Sequence, residues 1–385
     1  MKWTLFLSIT FLLLTCSSSD QYSYLIDPTN FKENSLTLSE IAENIKYIPL
    51  DNKMPIGLVY KLIITDDHIY LSIKDIGILT YDKSGRFICK VGSIGRGPDQ
   101  YIDYMDFAVD EKNGNVFIMG PGKVKVYANS GRYIREIKYS EFIPFVGGDI
   151  DIYNSKIFIP DFLITGDSKN CWIFLDTLGN LIQAKTNSVP PFKLNTGLEG
   201  CIYKFKDKIF YYNLYNDTIF SISPDLKCKE GYLFAKGDFR WPIGKVETDA
   251  ESWNKLFKPF KMFETNHFIA LVYGFHNKFG LLFIEKETKN TFLAIKYNGE
   301  LSEPNLVNDL DGGMSFGRDI NYYAESEKEY LVQLVNPIDL KTFVSSNSFI
   351  KGIPKNLDNK VEFQKFVNTL RETDNPVLMM ARLKR

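Results

Sequence analysis

A polar hairpin turn that contains a glycine returns three times in this chain, at Gly85, Gly131 and Gly179, in steps of 46 and 48 residues. Short apolar runs flank each turn. Ile78–Asp82 and Arg86–Val91 surround the first, Val124–Tyr127 and Tyr133–Lys138 the second, Trp172–Asp176 and Leu181–Lys185 the third. Each pair is preceded by another: Tyr60–Thr65 with Ile69–Ile73, Tyr104–Asp110 with Val116–Met119, and Asp149–Tyr153 with Lys156–Ile159. Four short strands per repeat of about 40–50 residues is the pattern of a propeller blade. A tight turn needs a positive φ, which glycine adopts without steric cost.

Several strands read as apolar on both faces, as in Val116-Phe117-Ile118-Met119 and Trp172-Ile173-Phe174-Leu175. A sheet with one wet face would alternate, whereas a blade sandwiched between two neighbours need not. Aromatic residues make up 15% of the chain, with 30 Phe and 22 Tyr, a bias that favours strands. A fourth repeat spans Cys201–Phe234, a fifth Phe260–Lys296, and a sixth begins at Asp319. Gly237–Leu256 interrupts the series, with helical spacing over Glu247–Leu256. Tyr297–Phe316 reads as a long loop, Pro337–Phe343 as a helical turn and Val361–Arg371 as an amphipathic helix. The left-over strands Ile45–Leu50 and Val377–Leu383 would complete the last blade and remove a free sheet edge. The expected fold is therefore all-β: a six-bladed β-propeller of four-stranded antiparallel blades, closed by its N- and C-terminal strands, with short helical insertions.

The expected domains are residues 1–15 as a signal peptide, 16–40 as a lipidated cysteine with a polar tether, and 41–385 as the propeller. Lys2 precedes the apolar run Trp3–Leu14, which is too short for a membrane-spanning helix. Leu13-Leu14-Thr15-Cys16 resembles a bacterial lipobox, although Thr15 replaces the usual Gly, Ala or Ser. The resemblance makes Cys16 the lipidation site and an outer-membrane lipoprotein the expected product, facing the periplasm or the surface. Asp20 is not next to Cys16, as in lipoproteins sorted away from the inner membrane. Cys89, Cys171, Cys201 and Cys228 show no paired spacing and read as buried thiols. The formal net charge of −1, with no long basic run, gives no field for recruiting nucleic acid.

The block Phe87–Tyr101, with Ile94-Gly95-Arg96-Gly97-Pro98 followed by Gln100-Tyr101, resembles six-bladed, NHL-like β-propeller lipoproteins of Gram-negative gut bacteria. The resemblance runs from about Ile45 to the C-terminus and includes the closing Asp374-Asn375-Pro376-Val377-Leu378. Gln100 stands where that family usually has Glu. The family is mostly uncharacterised, so the resemblance implies a fold and hardly a function.

The glycine-rich block is not a phosphate loop, because Pro98 and a strand follow it where a helix N-terminus is required. His68 and His267 fall in turns at one end of the ring and His276 at the other, so no multi-histidine metal site is expected. No catalytic residue and no cofactor is assigned. The candidate ligand-binding residues are Arg96, Asp99, Tyr101, Asp161, Arg240, Trp241 and His276, on the end that carries the blade connectors. Arg and Trp are enriched at binding surfaces. Candidate channel carboxylates at that end are Asp99, Asp103, Asp149, Asp161, Asp167 and Asp319. Two functions stand open. One is a monomeric, lipid-anchored binding module for a glycan, peptide or envelope protein. The other is a hydrolase or lyase on a sugar or lactone, with a channel-centred and Ca²⁺-dependent site.

Overall fold

The computed structural model describes residues 24–32, 34–101, 106–144, 149–162, 168–188, 200–241, 254–299 and 301–385. Its strands form six sheets arranged as blades, and the expected propeller is what the chain adopts. The innermost strands, in ring order, are Val59–Ile64, Asp106–Asp110, Asp151–Tyr153, Gly200–Phe205, Lys258–Glu264 and Asn321–Glu325. Blades one to three have four antiparallel strands, and blades four and five each carry a fifth. Blade six is closed as expected: Val377–Leu383 is its third strand, and Ala42–Pro49 pairs antiparallel with it as the fourth.

Six apolar cores hold the ring, one between each pair of neighbouring blades. This is why the strands are apolar on both faces. In blade two, Ala108, Phe117 and Val124 enter the core shared with blade three, while Phe107, Val116 and Ile118 enter the core shared with blade one. Each fully buried side chain of this kind contributes about 1.5–3 kcal/mol. Exposed ion pairs contribute about 0–1 kcal/mol, so packing between blades dominates.

The recurring turn glycines are joints between blades as well as turns. Gly85 and Gly131 have φ of +86° and +84°. A Cβ on Gly85 would lie 2.2 Å from the carbonyl oxygen of Pro49, on the outer strand of blade six. On Gly131 it would lie 2.4 Å from the carbonyl oxygen of Lys90, on the outer strand of blade one. The Gly131 carbonyl in turn accepts from the Gly92 amide at 3.1 Å. Each turn therefore leans its backbone on the blade before it.

Three assignments change. Residues 24–40 are not a free tether. Tyr24–Ile26 pairs in parallel with Cys228–Phe234 as the fifth strand of blade four. The chain then crosses blade five, where the Lys32 amide donates to Thr291 Oγ1 at 2.9 Å and Ser35 bridges to Leu293. Ile26, Leu36 and Leu38 are buried along this strap, which explains why a largely polar segment packs. The expected loop Tyr297–Phe316 contains a further strand, Leu301–Pro304, on the outer edge of blade five. The helix near the C-terminus is Leu357–Thr369 and follows two shorter ones, Pro337–Val344 and Asn347–Lys351. Of the interrupting segment, residues 242–253 lie outside the described residues, as does Cys16. Cys89, Cys171, Cys201 and Cys228 are free thiols.

Gly131→Ala is expected to destabilise the protein by about 1–3 kcal/mol, because it adds left-handed strain to a backbone clash. Gly57, with nothing within 4 Å of an added Cβ, is the control. Gly57→Ala should change stability by less than about 0.5 kcal/mol. Urea melts of both variants check the difference.

Candidate functional site

The closed ring leaves a central channel of about 1340 Å³, lined by residues from all six inner strands. Two of those strands are irregular at the same place. Pairing with the second strand skips Tyr60 in blade one and Phe260 in blade five. Both are β-bulges, which re-aim side chains and break the alternation of a strand. Both bulged residues are aromatic, both line the channel at the connector end, and both are followed by lysine. Tyr60 is 58% exposed. Phe260 stacks on Phe279 at 5.8 Å, and the Arg318 guanidinium lies 5.8 Å and 5.7 Å from the two rings.

The two lysines have different surroundings. Lys61 Nζ donates to Asp106 Oδ2 of blade two at 2.6 Å and lies 3.8 Å from Asp149 Oδ1. Burial pulls the Lys61 pKa down, but the charges of Asp106 and Asp149 outweigh it and the net shift is upward. Lys261 Nζ donates to the Ile320 carbonyl and to Asn321 Oδ1 of blade six, each at 3.1 Å. Burial pulls Lys261 down, and Asp319 offsets this only in part. Farther round the channel, Lys204 Nζ pairs with Asp151 at 3.0 Å and approaches Glu111 at 3.9 Å.

Asp106 and Asp149 share the Lys61 ammonium between them. Burial, then the Asp106 charge, hold the Asp149 carboxyl well above the usual range, against the pull of Lys61. Among the described residues, no three His, Cys, Asp or Glu side chains are grouped to hold a metal ion.

The residues singled out in the sequence do not form one surface. Tyr101 is buried, and its hydroxyl donates to the Val91 carbonyl at 3.0 Å. Asp161 is buried and accepts from the Ser168 hydroxyl. Arg240 is buried, paired with Asp217 at 2.8 Å and hydrogen-bonded to the Asn216 carbonyl at 2.9 Å. Trp241 is buried with its ring edge-on to Tyr215 at 5.9 Å. Arg96 and Asp99 are exposed on the connector between blades one and two, and His276 on a turn of blade five.

The connector itself is closed by its own side chain. Gln100 Oε1 accepts from the Gly97 amide at 2.9 Å, while its Nε2 donates to Ser93 Oγ at 3.1 Å. A glutamate could not make the second bond as a donor. Lys125 Nζ secures the loop by donating to the Pro98 and Gln100 carbonyls at 2.7 and 2.6 Å. Of the candidate channel carboxylates, Asp149 and Asp319 line the channel, and Asp103 and Asp167 lie outside the described residues. Tyr60, Asp106, Phe260 and Arg318 were not singled out. A lysine following an aromatic at the start of two inner strands is their one sequence signal.

Fold and channel together define a six-bladed β-propeller with a polar central site. The chain belongs to the family described as a domain of unknown function, DUF4934, which it matches over residues 23–382. Its fold is similar to that of a Bacteroides fragilis protein whose name marks it as exported. That match has 17% identity and a TM-score of 0.67, covering 94% of this chain and all of the other. A member of the DUF4221 family from Bacteroides vulgatus is similar at 10% identity and a TM-score of 0.50, over 92% of this chain and 99% of the other. No curated protein matches the chain. Among the described residues, no helix is long and apolar enough to cross a membrane.

The raised Asp149 pKa sets the sign of a pH effect. The folded state binds this proton more tightly than the unfolded state does. The stabilisation is complete below the unfolded carboxyl pKa of about 3.9 and is lost as pH rises through the folded value. Asp149→Asn keeps a neutral hydrogen-bonding group and removes the titration. The variant's Tm should match wild type near pH ~4 and exceed it near pH ~8. Thermal melts across that range check it, and a gap that does not change with pH would contradict it.

Proposed function

We propose that this protein is a lipid-anchored cell-envelope binding module whose channel mouth, on the connector end, takes a glycan. The pair of bulged aromatics, Tyr60 and Phe260, carries this reading. Aromatic faces pack against the apolar faces of sugar rings, and the neighbouring Lys61, Asp106 and Asp149 supply donors and acceptors for hydroxyls. Cations and carboxylates are interleaved there, which suits a polar ligand without strong net charge.

A glycan and peptide binding screen on the full chain tests the module. Tyr60→Ala and Phe260→Ala should each weaken the best glycan by about tenfold, roughly 1.4 kcal/mol, with unchanged Tm. A peptide ligand insensitive to both substitutions would sink the glycan assignment. Turnover of a glycoside or lactone that Asp149→Asn abolishes would make the protein an enzyme.

The anchor rests on the lipobox-like Leu13-Leu14-Thr15-Cys16. A structural neighbour named as exported fits with it. Cells fed an alkyne-tagged fatty acid should label the wild-type protein, and Cys16→Ala should be unlabelled and leave the membrane fraction. Equal labelling of both would remove the anchor at Cys16.

A further inference from the structure

The two aromatic bulges of the channel mouth differ in charge. Beside Tyr60, Lys61 is paired with Asp106 at 2.6 Å and lies 3.8 Å from Asp149. Elsewhere in the channel, Lys204 is paired with Asp151 at 3.0 Å. Beside Phe260 the cations are not neutralised in this way. Lys261 Nζ meets neutral oxygens, the Ile320 carbonyl and Asn321 Oδ1, each at 3.1 Å. An ammonium has three N–H donors, so one is left over. Two residues before Ile320 stands Arg318, which is exposed, with its guanidinium 5.8 Å from the Phe260 ring and 5.7 Å from the Phe279 ring. Among the described residues, neither Lys261 nor Arg318 forms an ion pair. Asp319, next to Arg318 in the chain, also lines the channel. Its charge offsets only part of the burial that pulls the Lys261 pKa down, and the Arg318 charge adds to that pull. Two cations against one carboxylate leave the Phe260 side positive, whereas the Tyr60 side is not.

That asymmetry selects among glycans. A sugar ring packed on Phe260 brings its substituents to the cation that lies over the same ring and to the lysine that follows it. Hydroxyls alone would leave both positive charges uncompensated. An anionic oxygen group would take charge-assisted hydrogen bonds from both, each about twice as strong as a neutral one. Contact with two aromatic rings holds the Arg318 guanidinium in place, and its planar fork suits such a group. We propose that the ligand is an anionic glycan, whose acid group, the carboxylate of a uronic acid or a sulfate ester, is held by Lys261 and Arg318 beside Phe260. This rests on the glycan reading and narrows it. One acid group on an otherwise neutral sugar chain keeps the ligand's net charge small, in keeping with the paired charges around Lys61.

The probes are uronate-bearing oligosaccharides, each with a carboxyl-reduced twin in which the acid has become a primary alcohol, and sulfated oligosaccharides, each with a desulfated twin. Titrated against the full chain, the best anionic glycan should bind at least about tenfold more tightly than its neutral twin. The preference should shrink as salt rises, because the mouth is open to solvent. Arg318→Gln and Lys261→Gln should each cut the ratio by at least about threefold. Arg318→Gln, at an exposed position, should keep the wild-type melt. Lys365→Gln removes the same charge from an exposed position on the helix Leu357–Thr369 and should leave the ratio unchanged. The set of twins that shows the preference identifies the group as carboxylate or sulfate. Equal binding within every pair, with Phe260→Ala still weakening both members, would overturn this proposal and leave the glycan reading standing. An equal fall in the ratio with Lys365→Gln would also overturn it, since the preference would then follow overall charge. Binding of no glycan, neutral or anionic, would remove the glycan reading and this proposal with it.

Discussion

The pairing of Ala42–Pro49 with Val377–Leu383 is the contact on which the rest of the ring depends. It joins the two ends of the chain in register from Asn44 to Pro49, after a bulge at Glu43, with Tyr47 opposite Met379 and Ile48 opposite Leu378. The C-terminal strand serves two cores at once through its period of two. Val377, Met379, Ala381 and Leu383 enter the core between blades five and six, while Leu378 and Met380 enter the core between blades six and one. Without it both cores would be open, and their lost burial would outweigh any ion pair on the surface. The strap Tyr24–Ile41 extends the same device, carrying the chain over the outer edges of blades four and five before it enters blade six.

Closure is also what makes the channel a site. A closed ring fixes the inner strands relative to one another, so a bulge in two of them places Tyr60 and Phe260 in fixed positions at one mouth. The lysine after each bulge reaches the next blade, and its partners there decide its character. The charges of Asp106 and Asp149 outweigh burial at Lys61, while at Lys261 burial wins and lowers the pKa. Channel chemistry is in this sense set by blade-to-blade neighbours and not by any single repeat.

The blades were legible because a glycine at a fixed place in a hairpin reports both a backbone conformation and a close approach. Gly85 and Gly131 meet the preceding blade through backbone atoms, so the requirement repeats with the blade. The bulges were not legible, since a bulge is a property of two paired strands and leaves one residue type unchanged. Arg240 and Trp241 are hard to read from sequence for a related reason. Residues that anchor a binding surface are also those that fill an end of a core, and here Asp217 and Tyr215 receive them. Residues 24–40 looked like a tether because Ile26, Leu36 and Leu38 are widely spaced, and only the neighbouring blade edges show what buries them.

Hydrogen exchange at the closing pair tests the central claim most directly. If the Ala42–Pro49 and Val377–Leu383 pairing holds the ring, its amides should exchange only through global unfolding, at the rate of the inner strands of blades two and four. Earlier exchange at this pair, with those inner strands still protected, would mean that the ring opens without unfolding and would contradict the account.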